Sequence, residues 1–428
     1  MKARRKPSDE WHEYPTRTLD RLAGFHPVPD APRSDAYGGR LDRKQRATGF
    51  FYPSKLGARW YLVDPAGNPY LKAGICSLTT GKSAANRKNL AARFGTAEKW
   101  AAETSDLLRA NGFTGAGGWS DVDVLRTAPH RLAYCTTSNF MGDFGRAKHL
   151  THQQSGHLGY ANDCIPVFHP DFPASCDETA RKLASTKDDP FLLGHFSDNE
   201  LPAPADLLDR ALRLDADDPS RQAAERWRAD RKASDITDAD RDAFRGFVYE
   251  RYYQLTTAAI RKHDPNHLCL GARMHGPFLK SPAVMRAAGK HVDVLALNVY
   301  NYWTPPADLM AMWTAESGKP FLVTEWYTKG EDSGYPNTSG AGWNVPTQRD
   351  RGWFYQNFTL ALLEAKNCVG WHWFKYLDND PDDKTTDPSN RDSNKGLVNL
   401  KYEPYADLLS AMKALNANLY PLADWFER

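Results

Sequence analysis

Pro320-Phe321-Leu322-Val323-Thr324-Glu325 and Pro190-Phe191-Leu192-Leu193-Gly194-His195-Phe196-Ser197-Asp198-Asn199-Glu200 are built on one plan: a proline, a mostly apolar run, and an acid at the end. Strands covered on both faces read as near-continuous apolar runs, which is the habit of parallel sheets. A strand that ends in a carboxylate then puts that acid at its carboxyl end, and in a (β/α)8 barrel this end is the functional face. Two such strands in one chain predict two carboxylates facing a common mouth.

Strand and helix signals alternate on either side of these segments. The first barrel strand is expected at Leu71–Cys76, the second at Phe113–Gly117, the third at Arg131–Cys135 and the fourth at Phe191–Ser197. The fifth is expected at Leu268–Met274, the sixth at Val292–Val299, the seventh at Phe321–Glu325 and the eighth at Val369–Phe374. A helix fits Ala97–Ala110, where Asn111-Gly112 supplies the stop, and another fits Asp177–Ser185. A long one fits Asp238–Lys262, which ends before Pro265. The spacing leaves room for two complete βα units between the two acids, so Glu200 belongs to strand four and Glu325 to strand seven. The expected fold is therefore α/β, a (β/α)8 TIM barrel.

Residues 1 to about 45 are rich in Pro, Arg and Asp without periodicity, and read as an extended arm. Phe50–Tyr52 and Arg59–Tyr70, joined through Pro65-Ala66-Gly67-Asn68, read as a β-hairpin leading into the barrel. The expected division is residues 1–70 for the arm and hairpin and 71–428 for the catalytic barrel. Residues 202 to about 237 form a charged helical insertion after strand four, placed to wall off one end of a cleft.

The bulk properties exclude several classes. Hydrophobic residues are 41% of the chain, enough for a large core, and the net charge of +2 comes from interleaved acids and bases rather than a basic patch. That argues against a nucleic-acid surface. Six cysteines lie scattered without a C-x-x-C pair, so neither a disulfide framework nor a zinc site is expected. The first residues are basic but lack a following apolar region, and no apolar run is long enough to span a membrane. A cytoplasmic protein, or one whose leader has been removed, is expected. Thirteen tryptophans fit a glycan-handling protein, whose sites set flat rings against the apolar faces of sugars.

Candidate site residues follow from the strand ends. Glu200 would protonate a leaving oxygen, and Asn199 beside it would hold a sugar hydroxyl. Glu325 needs donors if it is to stay ionised in a cleft, and Asn298-Val299-Tyr300-Asn301-Tyr302-Trp303 ends the preceding strand. Tyr300 or Tyr302 would supply the hydroxyl; Asn298 and Trp326 are further contacts. The eighth strand carries Trp371-His372-Trp373-Phe374, where alternation sets the two tryptophans on one side. Trp373, or else Trp371, is the expected sugar platform. His275 is a candidate hydroxyl ligand, whereas His195 inside strand four reads as a core histidine. The acidic loop 378–383 lacks the pattern of an EF-hand and reads as a rim loop. His149, His152 and His157 do not make a convincing zinc site. No metal and no cofactor are expected.

Three segments carry a family resemblance: Gly-His-Phe-Ser-Asp-Asn-Glu at 194–200, Phe-Leu-Val-Thr-Glu-Trp at 321–326, and Gly-Trp-His-Trp-Phe-Lys-Tyr-Leu-Asp-Asn-Asp at 370–380. Together with the entry hairpin from Trp60 to Asn68, they resemble β-agarases of glycoside hydrolase family 50, patchily over residues 50 to 415. The resemblance implies a retaining (β/α)8 glycosidase with Glu200 as acid/base, Asn199 as its 2-hydroxyl partner and Glu325 as nucleophile. The chain departs from the family in having only about 70 residues before the barrel, where those agarases carry a large N-terminal domain. The expected substrate is an agarose-like or related galactan oligo- or polysaccharide, cleaved at β-galactosidic linkages, with exo attack favoured by the short N-terminal region. The alternatives are a retaining β-glycosidase acting on a β-glucan, mannan or galactofuranoside, and a barrel that binds glycan without cleaving it.

Overall fold

The computed structural model describes residues 1–27, 33–154, 156–231, 235–385 and 391–428. Eight parallel strands form the central sheet: β1 Lys72–Cys76, β2 Gly115–Ala116, β3 Ala133–Thr137, β4 Leu192–Asn199, β5 Leu268–Arg273, β6 Leu295–Asn298, β7 Phe321–Glu325 and β8 Cys368–Phe374. Neighbours run in chain order from β1 to β5 and from β6 to β8, and β8 pairs with β1. The remaining seam closes through Met274, just past β5. Its N–H donates to the Ala296 carbonyl (2.8 Å) and its carbonyl accepts from the Asn298 N–H (2.7 Å). The chain is a (β/α)8 barrel.

The strand expectations hold in number and order, with shifted ends. β2 shrinks to two residues, and β3 begins two residues late, at Ala133. β7 is Phe321–Glu325 and the helix after β1 ends at Ala110, both as read from the sequence. The long helix Asp238–His263 starts where the Thr237 hydroxyl accepts from the Asp240 N–H and the Asp240 carboxylate accepts from the Thr237 N–H. Such reciprocal capping satisfies donors that a helix start otherwise leaves open.

Residues 52–70 make a three-stranded antiparallel sheet, Tyr52–Leu56, Arg59–Val63 and Pro69–Tyr70. The insertion after β4 folds into helices Leu207–Ala211 and Pro219–Arg231; its residues 232–234 lie outside the described ones. So do residues 28–32 of the expected arm. The rest of the arm is not featureless. Lys2–Ala3 pairs with His12–Glu13, and Arg4 pairs with Asn344 across the barrel's loop face.

All six cysteines are buried and unpaired. Among the described residues, no helix is long and apolar enough to cross a membrane. His195 is fully buried, with Nδ1 on the Thr136 hydroxyl (2.7 Å) and Nε2 on Asp264 (2.8 Å), so it is a satisfied core histidine. Asp264 also takes His267, whose second nitrogen meets the Asp189 carbonyl. This His-Asp-His group is the one cluster among the described residues with metal-like spacing. Its ring nitrogens are all engaged by protein atoms.

Candidate active site

Strand register builds the site in pairs. Asn199 at the end of β4 lies beside Arg273 at the end of β5, and Asn298 at the end of β6 lies beside Glu325 at the end of β7. Four polar side chains thus converge on the same end of the barrel. There, a cavity of about 440 Å³ is lined by Asn199, Glu200, His275, Tyr300 and Glu325, together with Trp119, His157, Tyr327, Phe374 and Lys395.

The two carboxylates are held differently. Glu325 is 6% exposed, and both of its oxygens are occupied. Oε1 meets the Arg273 Nη1 at 2.7 Å and Oε2 accepts from the Tyr300 hydroxyl at 2.8 Å. Burial pushes the Glu325 pKa up, and the nearby Glu200 charge adds to the rise. The Arg273 guanidinium and hydrogen bonds from Tyr300 and Trp119 pull the other way. Burial works hardest against the Arg273 charge, but Glu325, Cys76 and Glu200 together outweigh it and hold the guanidinium above its ordinary range. Each member of this buried pair therefore depends on the other.

Glu200 is only half-buried. Its Oε1 accepts from the Asn298 amide nitrogen (2.8 Å), which also donates to Asn199 Oδ1 (3.1 Å). The Thr324 hydroxyl donates to Asn298 Oδ1 (2.7 Å) and so fixes which way that amide points. With its carbonyl oxygen taken, Asn199 keeps its amide nitrogen to donate elsewhere. Glu200 itself sits at φ +48°, a region costly for a residue with a Cβ, and its N–H is pinned to the Arg273 carbonyl at 3.0 Å. Such strain persists only where the surroundings over-determine it, and it concentrates at functional sites. The next residue upstream but one, Asp198, accepts from the Met141 and Gly142 N–H groups and from the Tyr252 hydroxyl, which anchors the end of β4.

The aromatic expectations need correction. Trp371, Trp373 and Trp326 are buried outside the cavity. Trp371 Nε1 donates to the Tyr355 hydroxyl and Trp373 Nε1 to the Lys395 carbonyl. Trp326 stacks on Phe358 at 4.1 Å between centroids. The alternation along β8 is as read, but its sense is reversed: the tryptophans face the helix layer, and His372 and Phe374 face the barrel interior. The reason is space. His372 packs on Gly74 and Gly117, where an added Cβ would lie 2.6 Å from its ring, so those two glycines make the space that the interior-facing ring occupies. Phe374 thereby reaches the cavity.

Other placements divide. Tyr300, and not Tyr302, donates to Glu325. Tyr302 lines a second cavity of about 340 Å³ that shares His275 and Tyr300 with the first. The loop 378–383, expected at the rim, does not itself line the cavity, and its first residues, Asp378 to Asp380, are buried. Asp378 accepts from the backbone N–H groups of Lys395 (2.8 Å) and Gly396 (2.7 Å) and from the Tyr405 hydroxyl (2.7 Å), so it fixes the segment that brings Lys395 to the cavity. The described part of the insertion, 202–231, does not line the cavity. Residues 156–157 and 340–341 form its walls instead.

Sequence reasoning missed Arg273, Trp119, Tyr327, Phe374 and Lys395. Arg273 carried a usable signal, because a cation closing the apolar run Leu268-Cys269-Leu270-Gly271-Ala272 demands a buried acid partner. Trp119 is 38% exposed at φ +63°, and the Arg273 guanidinium lies 4.9 Å from its ring centre. Lys395 sets its Nζ 5.4 Å and 5.2 Å from the ring centres of Tyr327 and Phe374, and burial pushes its pKa well down.

No family model matches the chain. β-Agarase B of Vibrio sp. (strain JT0107) is 24% identical over 517 aligned positions, which take in 95% of this chain and 52% of that protein. β-Agarase A of the same strain is 29% identical over 177 positions, 40% of this chain and 17% of that one. The chain thus spans about half the length of the first relative and far less of the second. Among solved structures, one of an exo-β-agarase matches at a TM-score of 0.77 with 23% identity, over 95% of this chain and 69% of that one, a likeness of fold. The crystal structure of BpGH50 matches at a TM-score of 0.88 with 31% identity, over 100% of this chain and 95% of that one. Identity at that level along the whole barrel, joined to a pair of strand-end glutamates in a shared cavity, makes this chain a member of glycoside hydrolase family 50.

Proposed function

We propose that the chain is a retaining glycoside hydrolase that cleaves β-galactosidic linkages in an agarose-like galactan from a chain end. The observation that carries this reading is the unequal treatment of two acids in one cavity. Glu325 is buried with both oxygens engaged, the state of a fixed nucleophile rather than of a base that must hold a water. Glu200 is accessible and held by one amide, as suits a group that gives and then takes a proton.

In the first step Glu325 attacks the anomeric carbon while Glu200 protonates the departing oxygen. In the second, Glu200 takes a proton from the water that releases the sugar from Glu325. Arg273 and Tyr300 keep the nucleophile ionised and aimed, and the Asn199 amide is placed to donate to a hydroxyl of the sugar being cleaved. Phe374 and Trp119 supply the apolar faces against which that ring rests. The agarose-like substrate is supported by the β-agarases among the relatives. Attack at an end is the mode read for this chain, and the exo-β-agarase among the solved structures of like fold agrees with it.

Mass spectrometry of products from a panel of marine and plant polysaccharides tests the substrate, with a single small repeat expected from agarose. Proton NMR during turnover tests the stereochemistry: a first-formed product with the β-anomer supports double displacement, and an α-anomer refutes it. A folded Glu325→Ala protein that still turns over would overturn the assignment of the nucleophile.

A further inference from the structure

The second cavity, beside the catalytic one, is not accounted for by the two-acid chemistry. Its wall is His275, Pro277, Lys280, Tyr300, Asn301 and Tyr302. It offers donors for hydroxyls alongside flat apolar surface from Pro277 and Tyr302, the mixture that a pyranose ring requires. His275 and Tyr300 line both cavities, so the second lies directly beside the catalytic one.

One wall of this cavity is held in place by the N-terminal arm. Arg5 donates from Nη2 to the Asn301 carbonyl at 2.9 Å, and its guanidinium lies 3.7 Å from the ring centre of Trp343. Asn301 sits at φ +71°, a left-handed setting that asparagine tolerates better than other residues with a Cβ, and the bond from Arg5 fixes where its carbonyl points. The anchorage of Arg5 is extensive. Arg4 pairs with Asn344 through two backbone hydrogen bonds (3.0 and 2.7 Å) and makes an ion pair with Glu331 at 2.6 Å. The Asn344 amide donates to the Arg5 carbonyl (3.2 Å). Tyr14 stacks on Trp303 at 5.1 Å, and Trp303 Nε1 donates to the Thr16 hydroxyl. The arm thus ties the loop after β6 to the loop after β7.

We propose that the second cavity is a subsite for one further sugar unit of the galactan, and that Arg5 is a positioning residue that sets its shape through Asn301. The proposal rests on the hydrolase reading above. Long substrates, which fill both cavities, depend on Arg5 more than short ones, which fill only the first.

The test is the kcat/KM of wild type, Arg5→Ala and Tyr302→Ala on agaro-oligosaccharides of increasing length, with thermal melting of each protein as a check on folding. Loss of one charge-assisted hydrogen bond and the order it imposes is expected to cost the longest substrate roughly tenfold more than the shortest one cleaved, mainly in KM. Tyr302→Ala, which removes a wall directly, is expected to show the same dependence on length. Equal losses at every length, or none at any length, overturn the subsite while leaving the hydrolase intact. A wild-type protein that cleaves no member of the series overturns the agarose-like substrate proposed above, and the subsite with it.

Discussion

Replacing Tyr300 with Phe removes one oxygen from the site and little else. The ring keeps its neighbours, His275 at 5.9 Å and Tyr327 at 5.7 Å between centroids, so packing is retained. What disappears is the 2.8 Å hydrogen bond to Glu325 Oε2. A hydrogen bond to a buried charged group is worth about 1.5–3 kcal/mol, and about 1.4 kcal/mol corresponds to one pKa unit, so the pKa of Glu325 should rise by about 1–2 units. The pairing with Arg273 through the other oxygen is untouched, which favours the lower end. The sign is fixed, because a donor to a carboxylate stabilises its ionised form and losing it makes ionisation harder. A nucleophile must be ionised in the free enzyme, so the acidic limb of kcat/KM should move to higher pH by about one unit. The assay is a pH series of initial rates on an oligosaccharide or an aryl β-galactoside, with both limbs fitted. If the acidic limb does not move, Glu325 is not the ionising nucleophile or Tyr300 does not govern its charge, and the reasoning fails.

Phe374→Ala is expected to raise KM with little change in melting temperature, whereas Trp373→Ala should cost about 3–5 kcal/mol of stability, as large buried aromatics do; steady-state kinetics and denaturant unfolding on the two variants separate the cavity face of β8 from its helix face. Asp378→Ala strands the buried N–H groups of Lys395 and Gly396 and the Tyr405 hydroxyl, each worth about 1–3 kcal/mol when left without a partner, so urea unfolding should show a loss of several kcal/mol, with activity falling as Lys395 leaves the cavity wall. Burial pushes the Asp198 pKa up to about 7, against the hydrogen bonds from Met141, Tyr252 and Gly142. An acid that holds its proton more tightly when folded makes folding less favourable as pH rises from the unfolded carboxyl pKa near 4 to about 7, by up to roughly 4 kcal/mol. The stability of Asp198→Asn relative to wild type should therefore improve across that interval, as read from urea midpoints at pH 5 and pH 7.5, and a flat difference would contradict the shift.

The barrel was legible because its signals are local and repeated. β7 and β4 announce themselves as apolar runs ending in acids, and a proline or an Asn-Gly pair marks where chain direction changes. The same local logic located Glu200, Asn199, Glu325 and Tyr300, since a strand end dictates which face of the barrel its terminal residue serves. Strand boundaries were less legible. β2 is two residues long because pairing with β1 and β3, rather than propensity, decides where it stops. The arm looked unstructured because its order comes from distant partners such as Asn344, Trp343 and Glu331, none of which leaves a mark on residues 1–20.

The tryptophans show why composition misleads about a site. A period of two says that Trp371 and Trp373 share a face, but not which face, and one residue's slip reverses the answer. What settles it is volume on the far side of the barrel. Gly74 and Gly117 make room for the His372 ring, where any Cβ of their own would clash with it, so the interior face of β8 fits glycines more than two hundred and fifty residues upstream. Arg273 is the converse case. A guanidinium at the end of a buried strand is tolerable only beside a carboxylate, and its register partner on β4 leads to Glu200 while its ion pair is Glu325. One cation on a strand between the two acid-bearing strands can therefore serve as nucleophile holder and, through its carbonyl, as the anchor for Glu200's strained backbone. The two acids are coupled not only through the sugar they would share but through this residue, and substituting Arg273 should move the acidic limb of the pH profile further than Tyr300→Phe does, since the guanidinium outweighs the Tyr300 hydroxyl in holding Glu325 ionised.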